Sequence, residues 1–316
     1  MKAAWKVAIA LLIMAPTASA GELVWIDDHG TTVEPASLLA DAIRGTRFGF
    51  PDDDNGPGTL FCWRYGQGDG GGPDRNAPLV TDRPRFTQSS RTVGRRVAQV
   101  EFGYTFAMDD ETGNRLRHHS AGEPLVRWGM AADWLELRLA VAPVSQRSHD
   151  GSAWRAVSGT EDLSLGAKIG LAPFQEGLPE MALILQSTVP TGSNEFTTGQ
   201  TLPGFILVYT WEVNDDVSVA GSTRAHRVLD ATEKAYVELA QSATVTLDLS
   251  EDVGMYTEWY TLLPNGADTA EVEHYINGGF TILLSHNVQF DIRAGYGLNR
   301  AADDFFAGGG LSVRFR

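Results

Sequence analysis

The chain has 316 residues, 43% of them hydrophobic, and a mean hydropathy of −0.16, enough for one large domain or two ordinary ones. No run of about 18 apolar residues follows the first twenty. That argues against a helical membrane span but not against a β-barrel, whose inward residues dilute hydropathy. The net charge of −15 becomes −17 once Lys2 and Lys6 leave with the leader, which speaks against a nucleic-acid partner, whose phosphates require basic groups.

Residues 1–20 read as a secretory signal. Lys2 and Lys6 give a positive start, Val7 to Met14 an apolar core, and Ala18-Ser19-Ala20 a small-residue cleavage site before Gly21. Gly21, not a Cys, argues against lipidation. Residues 21–96 lack strand alternation and are expected to form a mostly irregular periplasmic segment. Within it, Pro35 to Gly45 predicts one short helix. Ser37 can cap it, Leu38, Leu39, Ala42 and Ile43 fall at helical spacing, and Gly45 can stop it. Pro51 to Gly56 and Gly68 to Asp74 carry turn chemistry. The acidic run fails the EF-hand pattern, because Pro51 would hold the first ligand position, so neither a metal nor a cofactor is expected. Cys62 is the only cysteine and reads as a semi-buried thiol, with no internal disulfide to make.

From Val97 to the end, apolar and polar residues alternate with the period of a strand. About twelve strands are expected. They lie near 97–108, 120–130, 134–142, 161–172, 180–190, 203–213, 217–226, 234–249, 252–263, 271–284, 287–298 and 304–316. In the first, Val100, Phe102, Tyr104, Phe106 and Met108 share one face. In the eleventh, Val288, Phe290, Ile292, Ala294, Tyr296 and Leu298 oppose Gln289, Asp291, Arg293, Gly295 and Gly297.

The connections alternate between short and long. Short ones fall at 131–133, 214–216, 250–251 and 285–286, with 173–179 the longest of that set. Longer, more polar links are expected at 109–119, 143–160, 191–202, 227–233, 264–270 and 299–303. Outer-membrane barrels have short periplasmic turns and longer outer loops, and an even strand count puts both termini in the periplasm. Trp128, Trp211 and Trp259 fall on the apolar face. Trp128 and Trp211 lie near short turns, where an interfacial aromatic girdle belongs.

The fold expected is therefore all-β: a transmembrane antiparallel barrel over 97–316, behind a signal peptide and an irregular segment. In this register Glu101, Arg127, Glu136, Arg138, Lys168, Glu212 and Arg224 face the lumen, as do Glu238, Asp248, Glu258, Glu273, Asp291, Arg293 and Arg314. An Arg or Lys on the lipid face costs about 2–4 kcal/mol at mid-bilayer, which turns such groups inward. Acids and bases are expected to pair across neighbouring strands, with Asp291, Arg293 and Glu273 as one such group. Eight strands give a filled interior and 16–18 an aqueous channel, so twelve imply a narrow or plugged pore. Residues 21–96 are available as a plug, although nothing in them requires one.

Several stretches together resemble a known family. They are Thr81 to Ser89 ahead of Val100 to Tyr104, Arg127-Trp128-Gly129 before Leu135 to Arg138, and Asp162 to Lys168. Val189 to Gly192, Glu258-Trp259-Tyr260, Gln289-Phe290-Asp291 and Gly309 to Ser312 complete the pattern. Over about 79–316 the chain resembles the outer-membrane barrel family named for the meta-pathway of phenol degradation. The resemblance implies a barrel in contact with outer-membrane lipid that passes small solutes, hydrophobic or aromatic ones among them. It supplies no catalytic residues. Phe315 is followed by Arg316, whereas such barrels commonly end on the aromatic residue itself.

Two other classes compete with a channel. An outer-membrane hydrolase would draw on His118, His119, Ser120, Asp109 and Asp110, the nearest approach here to a nucleophile and base. A secreted binding sandwich would share the alternation. The solute and the oligomeric state have no signal in the residues.

Overall fold

The computed structural model describes residues 25–26, 32–33, 73 and 76–316, apart from 112–113, 150–151 and 173–177. The leader, the Pro35 to Gly45 helix, the loop at 51–56, nearly all of 68–74 and Cys62 lie outside the described residues. The chain divides into two compact units, 1–54 and 55–316. In the first, β1 (Trp25–Ile26) and β2 (Thr32–Val33) pair as a short antiparallel ladder.

The second unit carries β3 (Ala98–Glu111), β4 (Asn114–Gly129), β5 (Leu135–Ala140), β6 (Pro143–His149), β7 (Trp154–Thr160) and β8 (Leu163–Ala172). It continues through β9 (Glu180–Val189), β10 (Leu202–Asn214), β11 (Val217–Leu229), β12 (Ala235–Asp248) and β13 (Val253–Asn265). β14 (Glu273–Ser285), β15 (Val288–Gly297) and β16 (Phe305–Phe315) complete it. β5 and β6 both pair with β4, end to end, and β8 and β7 continue the next position against them. Each pair is one interrupted stave, so the fourteen strands make a wall of 12. The last strand, β16, hydrogen-bonds to the first, β3, and closes the sheet. Closure leaves no unpaired edge at membrane depth, where bare N–H and C=O groups would have no water. It also removes the sandwich reading.

The wall is inverted relative to a soluble protein. Phe290 and Ile292 are 38% and 44% exposed while Asp291 between them is fully buried. The same holds for Trp128 beside Arg127 and for Leu137 and Leu139 around Arg138. Apolar side chains therefore form the outside, which suits lipid. Trp128 and Trp259 stand on that face, and Trp211 packs edge-on against Tyr209 at 5.6 Å. No helix among the described residues is long and apolar enough to cross a membrane; the strands do so.

Two of the long links differ from expectation. Residues 109–119 and 143–160 are mostly strand, because β3 runs to Glu111, β4 starts at Asn114, and β6 and β7 form a hairpin. The residues of β7 are nearly all exposed. A strand wetted on both faces has no reason to alternate, so the pairing continues after the sequence signal has stopped.

Candidate functional site

Inside the wall, the polar faces of the strands meet an irregular segment, roughly 77–97. It enters at the short-turn end, where Arg314 Nη2 donates to Ala77 O at 2.7 Å and Leu79 N to His286 O at 2.9 Å. It leaves at the same end, where Arg95 N donates to Asp133 Oδ1 at 2.8 Å and Arg96 N to Gly129 O at 2.7 Å. Between these points it folds into the lumen as a plug.

An irregular backbone in a closed space needs partners for its N–H groups. Three glutamates of the wall supply them. Glu101 accepts from Asp82 N and Arg83 N at 3.0 and 2.9 Å, and Glu258 from Phe86 N and Thr87 N, both at 2.7 Å. Glu136 accepts from Val93 N at 3.0 Å. Each bond is charge-assisted and hence about twice as strong as a neutral one.

A buried cluster of six charges lies below the plug's turn. Arg127 meets Glu101 at 3.0 Å and Glu136 at 2.8 Å. Arg138 meets Glu136 at 2.8 Å and Asp82 at 2.6 Å, and Lys168 meets Asp82 at 2.8 Å. The wall contributes three cations and two anions, and Asp82 of the plug is the third anion. Without it the cluster would hold an unmatched positive charge, which is costly in a dry interior. Lys168 also donates to Ser89 O at 2.9 Å, which ties both limbs of the plug to one side chain.

Across the lumen Arg83 reaches Glu123 at 2.6 Å and Asp291 at 3.5 Å, and donates to Gly309 O at 3.2 Å. It lies flat against β3 and β16, where a Cβ on Gly103 or Gly310 would fall on its guanidinium. Arg293 donates to Pro84 O and to Thr105, both at 2.8 Å. At the plug's tip the Phe86 ring stacks on Tyr260, with centroids 4.2 Å apart and planes within 5°. The Arg224 guanidinium covers the other face at 3.6 Å. On the returning limb Ser90 meets Thr210 at 3.1 Å, and Arg91 binds Glu180 at 3.0 Å and Glu212 at 2.7 Å.

The fourteen residues singled out from sequence therefore fall into three groups. Glu101, Arg127, Glu136, Arg138, Lys168, Glu258 and Asp291 are buried against or beside the plug. Arg224, Glu238, Glu273, Arg293 and Arg314 are partly buried, and Glu212 and Asp248 are exposed at the short-turn end. Arg127 does pair with Glu136 on the next strand. The group expected around Asp291 is different: Asp291 and Arg293 turn to Arg83 and Pro84, while Glu273 accepts from Tyr275 OH at 2.6 Å. The partners missed were those of the plug, Asp82 and Arg83 above all, because the plug has no period to reveal it. Their one signal was the dense polar run from Thr81 to Ser89.

Two of the residues considered for hydrolysis are engaged elsewhere, while Asp109, His118 and Ser120 share the inward face of β3 and β4. His119 faces outward and bonds to Tyr104 OH at 2.6 Å, and Asp110 pairs with Arg117. At the long-loop end of the lumen Asp303 lies among other acids. Asp303, in the link between β15 and β16, is pushed up to about 6 by burial and then by the charges of Asp109, Glu273 and Asp304.

The family model described as "Putative MetA-pathway of phenol degradation" matches residues 81–315. The match thus begins in the plug. No curated protein matches the chain. Among solved structures, the COG4313 outer membrane channel from Pseudomonas putida F1 is similar at a TM-score of 0.53 and 14% identity, over 77% of this chain and 99% of that one. The translocator domain of autotransporter NalP from Neisseria meningitidis is more distant, at 0.47 and 12%, covering 70% of this chain and 89% of that one. The KdgM porin in complex with disordered oligogalacturonate gives 0.45 and 11%, covering 69% and 99%.

Proposed function

We propose, for a chain that belongs to the outer-membrane barrel family named for the meta-pathway of phenol degradation, a narrow outer-membrane channel for small solutes that residues 79–96 hold shut. The single observation that carries this reading is how the plug is held. Ion pairs and charge-assisted hydrogen bonds tie it to the wall, beside the buried apolar side chains of Leu79 and Val93. Water can replace polar contacts one by one once the segment moves, so the closure is reversible in principle. The fourteen charged residues line the path, with Glu212 and Asp248 at its periplasmic rim and the acids around Asp303 on the outer side. The fold it shares with a protein described as an outer membrane channel supports the reading.

The expected cargo is small and hydrophobic or aromatic; residues 1–20, read as an export signal, and the closed barrel both support an outer-membrane location. The chain is read as non-enzymatic, since His119 and Asp110 are engaged elsewhere. The test is conductance in planar bilayers, for the full chain and for a chain with 80–92 replaced by a Gly-Ser linker. The full chain should be mostly closed and the replaced chain open. A silent barrel in both forms would leave a structural or enzymatic role as the better account.

A further inference from the structure

Phe86 sits in a slot shaped for a ring. Tyr260 covers one face and the Arg224 guanidinium the other, at 4.2 and 3.6 Å. Stacking and cation–π attraction act together on the one phenyl group. Arg224 Nη2 also donates to the backbone carbonyl oxygen of Phe86. The slot therefore recognises two things at once: a planar ring, and an oxygen acceptor four bonds along a chain from it. Tyr260 and Arg224 are each only partly buried, so the slot is not sealed. From Tyr260 the stack continues to Tyr275 at 4.7 Å and on to the edge of Phe306 at 6.0 Å, a run of aromatic faces leading toward the long-loop end.

We infer that this slot is a binding site for arylalkanoates, a planar ring on a short chain ending in a carboxylate, and that Phe86 fills it as the plug's own substitute. The inference rests on the channel reading and names its cargo class. The stretch of Phe86 from ring to carbonyl oxygen is isosteric with 3-phenylpropanoate. A carboxylate in place of that carbonyl brings a full negative charge to Arg224, which an amide oxygen lacks. When the Phe86 N–H leaves, Glu258 keeps Thr244 Oγ1 at 2.8 Å and Asn277 Nδ2 at 2.9 Å as donors. Ligand and plug tip compete for one place, so a ligand that wins it loosens the plug.

The test uses the full chain, purified in detergent, with 3-phenylpropanoate as the probe and binding read by titration calorimetry. Phe86→Ala removes the competitor and should bind the probe about tenfold more tightly than wild type. Adding Tyr260→Leu or Arg224→Gln to Phe86→Ala should each weaken binding about tenfold. 3-Cyclohexylpropanoate, with the same charge but no planar ring, should bind more weakly than the probe. Heat-modifiable migration on gels checks that each barrel has folded. If Tyr260→Leu does not fold, Arg224→Lys serves, since it keeps the charge and loses the planar face. Equal affinity in wild type and Phe86→Ala, or equal binding of the two propanoates, would overturn the inference. Conductance separates it from the reading beneath it: a Phe86→Ala barrel that conducts and ignores the probe sinks only the slot, and one that binds the probe and never conducts sinks only the channel.

Discussion

Replacing Asp82 with Asn should unlatch the plug. Asp82 is the one carboxylate of the segment that meets the wall's cations: Arg138 at 2.6 Å, Lys168 at 2.8 Å and Arg127 at 3.7 Å. Asn keeps the size and can still accept from Ser89 N, the bond that sets the plug's turn at 2.9 Å. What it removes is the charge, leaving three cations against Glu101 and Glu136. Removing one partner of a buried ion pair costs roughly 3–5 kcal/mol. Part of that is recovered when water enters, so the lower bound is the better guide. About 3 kcal/mol is about a hundredfold in an equilibrium constant, and the open probability of single channels should rise by that order. Lys168→Met restores the balance in the Asp82→Asn background, with two cations and two anions, and should return much of the closure. The two changes are thus coupled, and a double-mutant cycle on open probability measures by how much. An open probability unmoved by Asp82→Asn would refute the latch.

Further outcomes follow from the same wall. Ile292 is 44% exposed on the apolar face beside Phe280, so Ile292→Arg should destabilise the barrel by about 2–4 kcal/mol in urea titrations, whereas Glu238→Gln on the inner side should be close to neutral. In a chain with Cys62→Ser, a cysteine at Ser152, in the β6–β7 link, should react with impermeant reagents on whole cells, and one at Asp215 should not; reversed labelling would invert the orientation. Asp303 is neutral below about pH 6 and charged above it, so cation selectivity should rise as pH passes through that value, and Asp303→Asn should flatten the profile.

The barrel was legible because lipid imposes a rule on every second residue. β15 follows it without exception from Val288 to Tyr296, and its register in the wall is the one the alternation implies. Where lipid ends, the rule ends, and β6 and β7 read as loop although they are paired strands. The inward charges were legible one by one, since Arg127 or Lys168 has no place in lipid. Their partners were not. An inward carboxylate such as Asp291 can be met by a neighbouring strand or by anything that enters the lumen, and here Arg83 arrives from more than two hundred residues earlier in the chain. Nothing periodic marks the plug, whose backbone is satisfied by Glu101, Glu136 and Glu258 in place of a ladder.

The most direct test of a channel closed by a movable plug is to fix the plug and release it. Ser90 Oγ and Thr210 Oγ1 lie 3.1 Å apart, one on the plug and one on β10. Cysteines at both positions, in a Cys62→Ser chain, are close enough to cross-link. Single-channel recordings should be silent under oxidising conditions and should show openings after dithiothreitol is added to the same bilayer. Equal conductance before and after reduction, with the cross-link verified by mass spectrometry, would mean that solutes pass a stationary plug and would contradict the account.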